Sequence, residues 1–457
     1  MKKLILSLLM LGYGLHLSAQ KLNADLLGTS QPTIQSKLTV NNRAMDEGDE
    51  TSLDPMLKPF YHGVASGDPL SDRVIIWTRI TPEEEEDSIS VSWKIATDTA
   101  MENIISSGEF QTSSSRDYTV KVDVTGLSAD TYYYYEFESG GRKSLVGRAK
   151  TASEGTEDHL KFAVVSCSNY EAGYFNAYGR IADRNDLDAV LHLGDYIYEY
   201  ETSVYGDSSL SNAGIRAHQG FETVSVDQYR ARYSLYRLDK DLRRAHQQHS
   251  FICVWDDHES ANDAYKDGAE NHQPDEEGDW EERKEMARKA YYEWIPIREQ
   301  ESDVIYRSFS YGDLLDLIML DTRLEGREIQ RDSVTDPLLY APDRTMLGTT
   351  QRDWFFGEMG GSSASWKLIG NQVVFSEFNV GWAADPTQGQ TPNDVEALFL
   401  DIWDGYPQER QIIIDYIRDQ EVDNVIMVTG DIHSSFAFEV ADTVNDPSAL
   451  YAPVDNY

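Results

Sequence analysis

The chain has 457 residues, with 40 Lys+Arg against 79 Asp+Glu and a formal charge of −39 at pH 7. So acidic a surface repels a phosphate backbone, which excludes a nucleic-acid binder working by broad electrostatic attraction; no stable nucleic-acid complex is expected. With 40% hydrophobic and 11% aromatic residues the chain is globular rather than disordered, and its two Cys, Cys167 and Cys253, exclude a disulfide framework. Residues 1–19 begin with Lys2 and Lys3, run apolar from Leu4 to Leu17 and end in Ser18-Ala19. That is the pattern of a Sec signal peptide cut after Ala19, so a periplasmic or secreted protein is expected. No twin-Arg pair and no lipidation Cys accompany it, and no later apolar run reaches the roughly 20 residues of a membrane span. Residues 20–57 are polar and read as a flexible leader. Over 58–152, short β-rich runs at Arg73–Thr78, Ile89–Ile95, Tyr118–Val124 and Thr131–Phe137 alternate with turn residues, predicting a small all-β sandwich domain of about seven strands.

After Asp158 the rhythm becomes strand, loop, helix. Lys161–Ser166 reads as a strand, Tyr174, Tyr178, Ile181 and Ala182 recur at helical spacing, and Leu187–Leu193 is a second strand. Further buried strands are predicted at Phe251–Trp255, Leu314–Leu320, Trp366–Gly370 and Asn424–Thr429, with a long helix from about Trp280 to Trp294. The expected class for 158–457 is α/β with mixed sheets flanked by helices.

Chemistry-bearing residues gather just past the C-terminal ends of four of these strands, where open α/β sheets place their sites. They are Ser166-Cys167-Ser168-Asn169, Gly194-Asp195-Tyr196-Ile197-Tyr198-Glu199, Asp256-Asp257-His258-Glu259 and Gly430-Asp431-Ile432-His433. One such tetrapeptide means little; four at successive strand ends point to a common cleft.

With these residues the sequence resembles the PhoD-type alkaline phosphatases, within the calcineurin-like metallophosphoesterases and near the purple acid phosphatases. The resemblance runs from Gly63-Val-Ala-Ser-Gly-Asp-Pro69 and Trp77-Thr-Arg79 through Asp227-Gln-Tyr-Arg230, Tyr236-Arg237, Trp255-Asp-Asp-His-Glu259, Leu320-Asp-Thr-Arg323 and Gly370-Asn-Gln372 to Gly430. It implies a metallophosphoesterase sandwich and an enzyme that hydrolyses phosphate esters by attack of a metal-held hydroxide or oxide, without a protein nucleophile. It further implies Fe(3+) held by Cys167, Asp195, Tyr198 and His433, and Ca(2+) held by Asp195 as a bridge with Asp257, Asn371 and Asp431. Asn262 is a weaker candidate for a further calcium. Oxygen donors at Asn371 and Asp431 suit Ca(2+), a hard cation with flexible geometry, and related enzymes place His at both positions.

His258, beside Asp257, is the expected catalytic partner of Asp195, steadying phosphoryl oxygens or protonating the leaving oxygen. Arg237 is a candidate for gripping the substrate phosphate, although in so acidic a chain most of Arg230, Arg232, Arg237, Arg243 and Arg244 are expected in salt bridges. Cys253 and His192 read as core residues, and His246 and His249 as surface residues. Substrates are expected to be small phosphate esters, with phosphodiesters and phospholipids open, and the chain a monomer. Two alternatives stay open: a purple acid phosphatase-like enzyme with two transition metals, and an inactive fragment acting as a calcium-binding surface module. The resembled family continues well past its Gly-Asp-x-His motif, so a domain truncated at its C-terminus is expected.

Overall fold

The computed structural model describes residues 53–84, 86–300 and 304–440. The signal-peptide reading, most of the leader and the reading of the C-terminal end lie outside the described residues. The ten strands predicted by residue range form where expected, and five others join them. They are β1 (Val64–Gly67), β2 (Arg73–Arg79), β3 (Ile89–Ala96), β4 (Ile104–Thr112), β5 (Thr119–Thr125), β6 (Tyr132–Ser139), β7 (Arg142–Lys143), β8 (Gly147–Lys150), β9 (Phe162–Val165), β10 (Ala189–His192), β11 (Ser250–Cys253), β12 (Arg307–Tyr311), β13 (Leu315–Met319), β14 (Trp366–Gly370) and β15 (Val425–Val428). Strand β12, Arg307-Ser-Phe-Ser-Tyr311, alternates but spans only five residues, and it takes its place in the sheet by pairing with β13.

One sheet runs β5-β2-β1-β11-β10-β9 and a second runs β12-β13-β14-β15. Strands β9, β10 and β11 are mutually parallel, as are β13, β14 and β15. Alternation along β13 and β14 shows how the sheets stack. Leu317, Met319 and Leu368 join the core of the first sheet, with Val190, Phe251, Tyr233 and Trp294, while Ile318 and Ile369 turn to the other face and meet Phe355, Met359 and Ile413. The result is two facing sheets with helices outside, among them Val226–Leu238, Lys240–Gln248 and Trp280–Trp294 on one side and Gly348–Gly361 and Pro407–Asp419 on the other.

The N-terminal β region does not close on itself. Strands β3, β4, β6, β7 and β8 make their own sheet, but β1, β2 and β5 belong to the first sheet, through parallel pairing of β1 with β11. Strand β2 serves two cores. Val74 and Ile76 pack toward the N-terminal sheet, while Trp77 faces the core between the two larger sheets and donates from Nε1 to Glu293 O at 2.8 Å. Such sharing is invisible to a reading of local period, which cannot tell which sheet a strand joins.

His246 and His249 are buried, at 0% and 3% exposure, which corrects the surface expectation. His249 caps the helix Lys240–Gln248, and His246, in its last turn, stacks on Phe251 of β11 at 3.8 Å. Burial, with Arg148 nearby, lowers the His249 pKa to about 4, and burial lowers that of His192 to about 3. A histidine kept neutral this way contributes stability that is complete above pH 6.5 and is lost as pH falls toward the folded value. For His249 the full effect is about 3 kcal/mol. Urea midpoints measured from pH 7 to pH 4 should fall, and His249→Gln, which keeps a donor for Ile181 O (2.9 Å from His249 Nε2), should flatten that fall.

Candidate metal centre

The parallel halves of the two sheets end at the same place. Cys167 follows β9, Asp195 and Tyr198 follow β10, and Asp256, Asp257, His258 and Glu259 follow β11. From the second sheet, Arg323 follows β13, Asn371 follows β14, and Asp431 and His433 follow β15. Gly194 (φ 104) makes the approach possible, since a Cβ there would overlap the backbone N and Cβ of Asp256. Glu259, 3% exposed, then ties the two loops together: it accepts from Asp195 N at 2.9 Å, Tyr196 N at 2.6 Å and Asp256 N at 2.8 Å. Gln372 does the same on the second sheet, accepting from Thr322 N and Oγ1 at 2.9 and 2.6 Å and donating to Leu320 O at 2.7 Å.

Three groups of donor atoms, each within 4.8 Å of one another, result: Cys167, Asp195 and His433; Asp195, Asp257 and His258; and Asp256, Asp257 and Asp431. Asp195 belongs to two of them. Tyr198 joins the first, its hydroxyl donating to Asp195 Oδ2 at 3.2 Å and lying 3.0 Å from His433 Nε2. Cys167, Asp195, Asp431 and His433 all hold left-handed backbone, with φ of 57°, 54°, 64° and 52°. Left-handed backbone costs a non-glycine residue roughly 1–2 kcal/mol, and such strain clusters where function fixes a side chain.

The electrostatics show what this donor set lacks. Burial and the Asp195 carboxylate push the Cys167 thiol up, burial and Asp195 push the Tyr198 phenol up, and burial together with Asp256 and Asp257 pushes Asp195 well above the carboxylate range. Asp195 Oδ1 is buried with no hydrogen-bond partner in the described structure. A thiol, a phenol and a carboxyl that burial drives toward protonation need added positive charge to act as anions, so these residues fit a highly charged cation. The second set differs, for it carries its own counter-charge. Arg323, fully buried, donates to Asp256 Oδ1 at 2.5 Å, to both oxygens of Asp401 at 2.9 Å and to Asp431 Oδ1 at 3.1 Å, and stands 3.7 Å from Asp257. Burial opposes ionisation of Asp257, yet Arg323 and His258 hold it down at about 2, while burial leaves Asp256 raised to about 6.

His258 Nδ1 lies 2.7 Å from Glu199 Oε2, and because a carboxylate only accepts, the proton sits on Nδ1. Burial would lower this imidazole, but Glu199, Asp257 and Asp195 raise it well above its usual value. Asn371 is buried and its amide hydrogen bonds go to Val373 O (2.5 Å) and Trp403 Nε1 (3.2 Å) rather than to another candidate ligand. Asn262 points its side chain at Glu270 and gives only its backbone N–H to Glu199.

The structure corrects Arg237: its guanidinium is fully buried over Trp77, 4.4 Å from the ring, and donates to His62 O at 3.4 Å, so it has no face for a substrate. Of the neighbouring arginines, Arg230 pairs with Glu293 and Arg244 with Asp183, whereas Arg232 and Arg243 donate mainly to backbone carbonyls, so fewer of the group are in salt bridges than expected. Residues that sequence reasoning assigned no role are Glu199, Arg323, Asp401 and Tyr205. Glu199 and Arg323 sat inside motifs already singled out, whereas Asp401 and Tyr205 lie in irregular segments without local pattern.

Two stacked sheets whose parallel strand ends converge on thiol, phenol, imidazole and carboxylate donors define an α/β fold organised around a candidate polynuclear metal centre. Residues 162–454 match the PhoD-like phosphatase family and residues 48–153 match the PhoD-like phosphatase N-terminal domain. The chain belongs to the PhoD-like phosphatase family. It is 36% identical over 396 residues to alkaline phosphatase D of Bacillus subtilis (strain 168), covering 83% of this chain and 65% of that one. The chain thus spans just under two thirds of the length of that relative. A solved structure titled "Structure of PhoD" superposes with a TM-score of 0.70 at 33% identity, over 82% of this chain and 72% of the other.

Proposed function

We propose that the chain hydrolyses phosphate esters, as the relative named alkaline phosphatase D does by its name, at a centre holding Fe(3+) and Ca(2+). The observation that carries this reading is the double membership of Asp195, whose carboxylate reaches both the Cys167–His433 group and the Asp257–His258 group. A carboxylate shared in this way would serve two cations at once, and Asp257 would be shared likewise with the Asp256–Asp431 group. Cys167, Asp195, Tyr198 and His433 would hold Fe(3+), for which a phenolate is a suitable hard donor; Asp195, Asp257, Asp431 and Asn371 would hold Ca(2+) through oxygen alone. When bound, such cations lower the pKa of water toward neutrality and neutralise charge developing on phosphorus.

The chain's own residues do the rest. Glu199 orients His258 by accepting a hydrogen bond from its Nδ1–H, which leaves the Nε2–H of the imidazolium to donate to an ester oxygen. Arg323 helps to hold Asp257 ionised and pairs with Asp431, whose carboxyl burial and Asp256 push up. The segments 58–152 and 158–457 act in this reading as one body, because the sheet they share carries Asp195 and Asp257 at its strand ends. Sec export, a monomeric state and esters open to diesters belong to the same proposal. Among the described residues no helix is long and apolar enough to cross a membrane.

The test is hydrolysis of a chromogenic phosphate monoester at alkaline pH, with added calcium and then with a calcium chelator, on protein whose metal content has been measured. Calcium-dependent turnover with about one iron per chain is expected. Two transition metals and no calcium dependence would favour the purple acid phosphatase-like alternative, and calcium binding without iron or turnover would favour the binding module.

A further inference from the structure

The proposed centre accounts for the carboxylates, the ring nitrogens and Tyr198 but not for Tyr200 and Tyr205, which crowd it. Tyr205 stacks on Tyr198, with centroids 5.8 Å apart and planes 25° apart, and on His258, at 6.0 Å and 26°. Its hydroxyl lies 3.2 Å from His433 Nδ1. Tyr200 continues the surface, 5.5 Å from Tyr205 and 5.6 Å from His258. Tyr198 is fully buried, whereas Tyr200 and Tyr205 are half-buried, so the aromatic wall begins at the candidate ligands and ends at solvent. The same loop exposes Val204 (57%) and Ile215 (46%), which adds apolar surface to the rim.

This placement is built rather than incidental. Glu171, fully buried, accepts from Thr202 Oγ1 (2.8 Å) and His218 N (2.7 Å) on one oxygen and from Ser203 N (2.9 Å) on the other, while its backbone carbonyl accepts from Asp207 N at 2.9 Å. Asn169 Nδ2 donates to Tyr205 O at 3.1 Å. A Cβ on Gly206 would stand 2.6 Å from Glu171 Cβ, so the loop lies this close only with glycine there. Asn169 and Glu171 follow Cys167 directly, so the turn that places the thiol also places the Tyr205 ring.

We propose that Tyr205, with Tyr200 beside it, is a specificity-determining residue that stacks the planar leaving group of the ester, so that ring-bearing phosphate esters are preferred to alkyl ones. This deepens the phosphatase reading and rests on it. An aromatic face favours a π-bearing group over an alkyl chain of equal area, by an amount that corresponds to about tenfold in affinity or kcat/KM.

The experiment titrates the full chain, loaded with its metals, with phenylphosphonate and propylphosphonate by calorimetry, and follows turnover of phenyl phosphate and butyl phosphate. Wild-type protein should bind the phenyl compound more tightly. Tyr205→Leu should lose about tenfold on the phenyl ligand and ester relative to the alkyl pair, and Tyr205→Phe should keep the preference. If Tyr205→Leu does not fold, Tyr200→Leu carries the test with the same sign. An equal loss on both ligands, or no loss, overturns the proposal, since a tyrosine that only holds His433 would act on both alike. Turnover without ring preference overturns the wall and leaves the phosphatase reading; ring preference in binding without turnover does the reverse.

Discussion

Asp195→Asn is expected to raise the stability of the metal-free protein while abolishing metal binding and turnover. The side chain is 1% exposed, and of its two oxygens only Oδ2 has a partner, the Tyr198 hydroxyl at 3.2 Å. Burial and the neighbouring Asp256 and Asp257 push its carboxyl well above the ordinary value of 3.8. A group whose folded pKa is raised stabilises the fold below its unfolded value and loses that contribution as pH rises through the folded one. Metal-free wild-type protein should therefore lose stability as pH climbs from about 4, and Asn, which does not ionise, should remove the Asp195 share of that loss. Leaving a buried carboxylate oxygen unpaired costs about 1–3 kcal/mol, which sets the size of the gain near neutral pH. With metal the order inverts, because the variant has lost the carboxylate that links the Cys167–His433 group to the Asp257–His258 group. Calorimetric melting with and without metal, beside elemental analysis, reads both halves. Equal destabilisation of both forms would show Asp195 to be a structural residue and would remove the bridge from the proposed mechanism. His433→Ala, whose ring is exposed, should lose metal and turnover without the gain in metal-free stability.

How much of this was legible in the sequence depends on range. The strand ends were, because Asp195, Asp257, His258, Asp431 and His433 sit one to six residues past apolar runs whose period is local. The bounds of the helix Trp280–Trp294 were legible for the same reason, with Asp279 capping it through Glu281 N. The sharing of β1, β2 and β5 between two cores was not, since it depends on β1 pairing with β11 some 180 residues away, as Ser66 does with Ser250. Arg237 misled because a cation in a family motif looks like a phosphate grip, whereas its guanidinium packs on Trp77. The cation that does reach the acidic cluster is Arg323, which answers four carboxylates from three different segments, Asp256 and Asp257, Asp401, and Asp431, and no spacing rule brings those together. Tyr205 escaped because its position is fixed by Glu171 through hydrogen bonds within a loop that has no period at all.

His258→Ala should lower kcat by about 10²–10⁴-fold, the usual contribution of a positioned proton donor, and leave most of the metal bound. The distinction follows from the contacts. His258 spends Nδ1 on Glu199 at 2.7 Å, while Cys167, Tyr198 and His433 make their own group without it. Glu199→Gln separates a catalytic role from a packing one. Burial lowers the His258 pKa, and the carboxylates of Glu199, Asp257 and Asp195 raise it well above its ordinary value, with Glu199 the largest of the three. A group that acts in its protonated form loses activity as pH rises through its pKa. Replacing Glu199 by a neutral amide removes the largest raising charge, so the alkaline limb of the pH–rate profile should move to lower pH, with kcat at acidic pH changed much less than kcat at alkaline pH. Asn262 N and Asn271 Nδ2, each donating to Glu199 Oε1 at 2.8 Å, keep an oxygen to bond in the Gln variant, which preserves the loop. A uniform fall in kcat across the pH range would assign Glu199 to packing alone. Full loss of iron in His258→Ala would place that imidazole among the ligands and take the proton donor out of the mechanism.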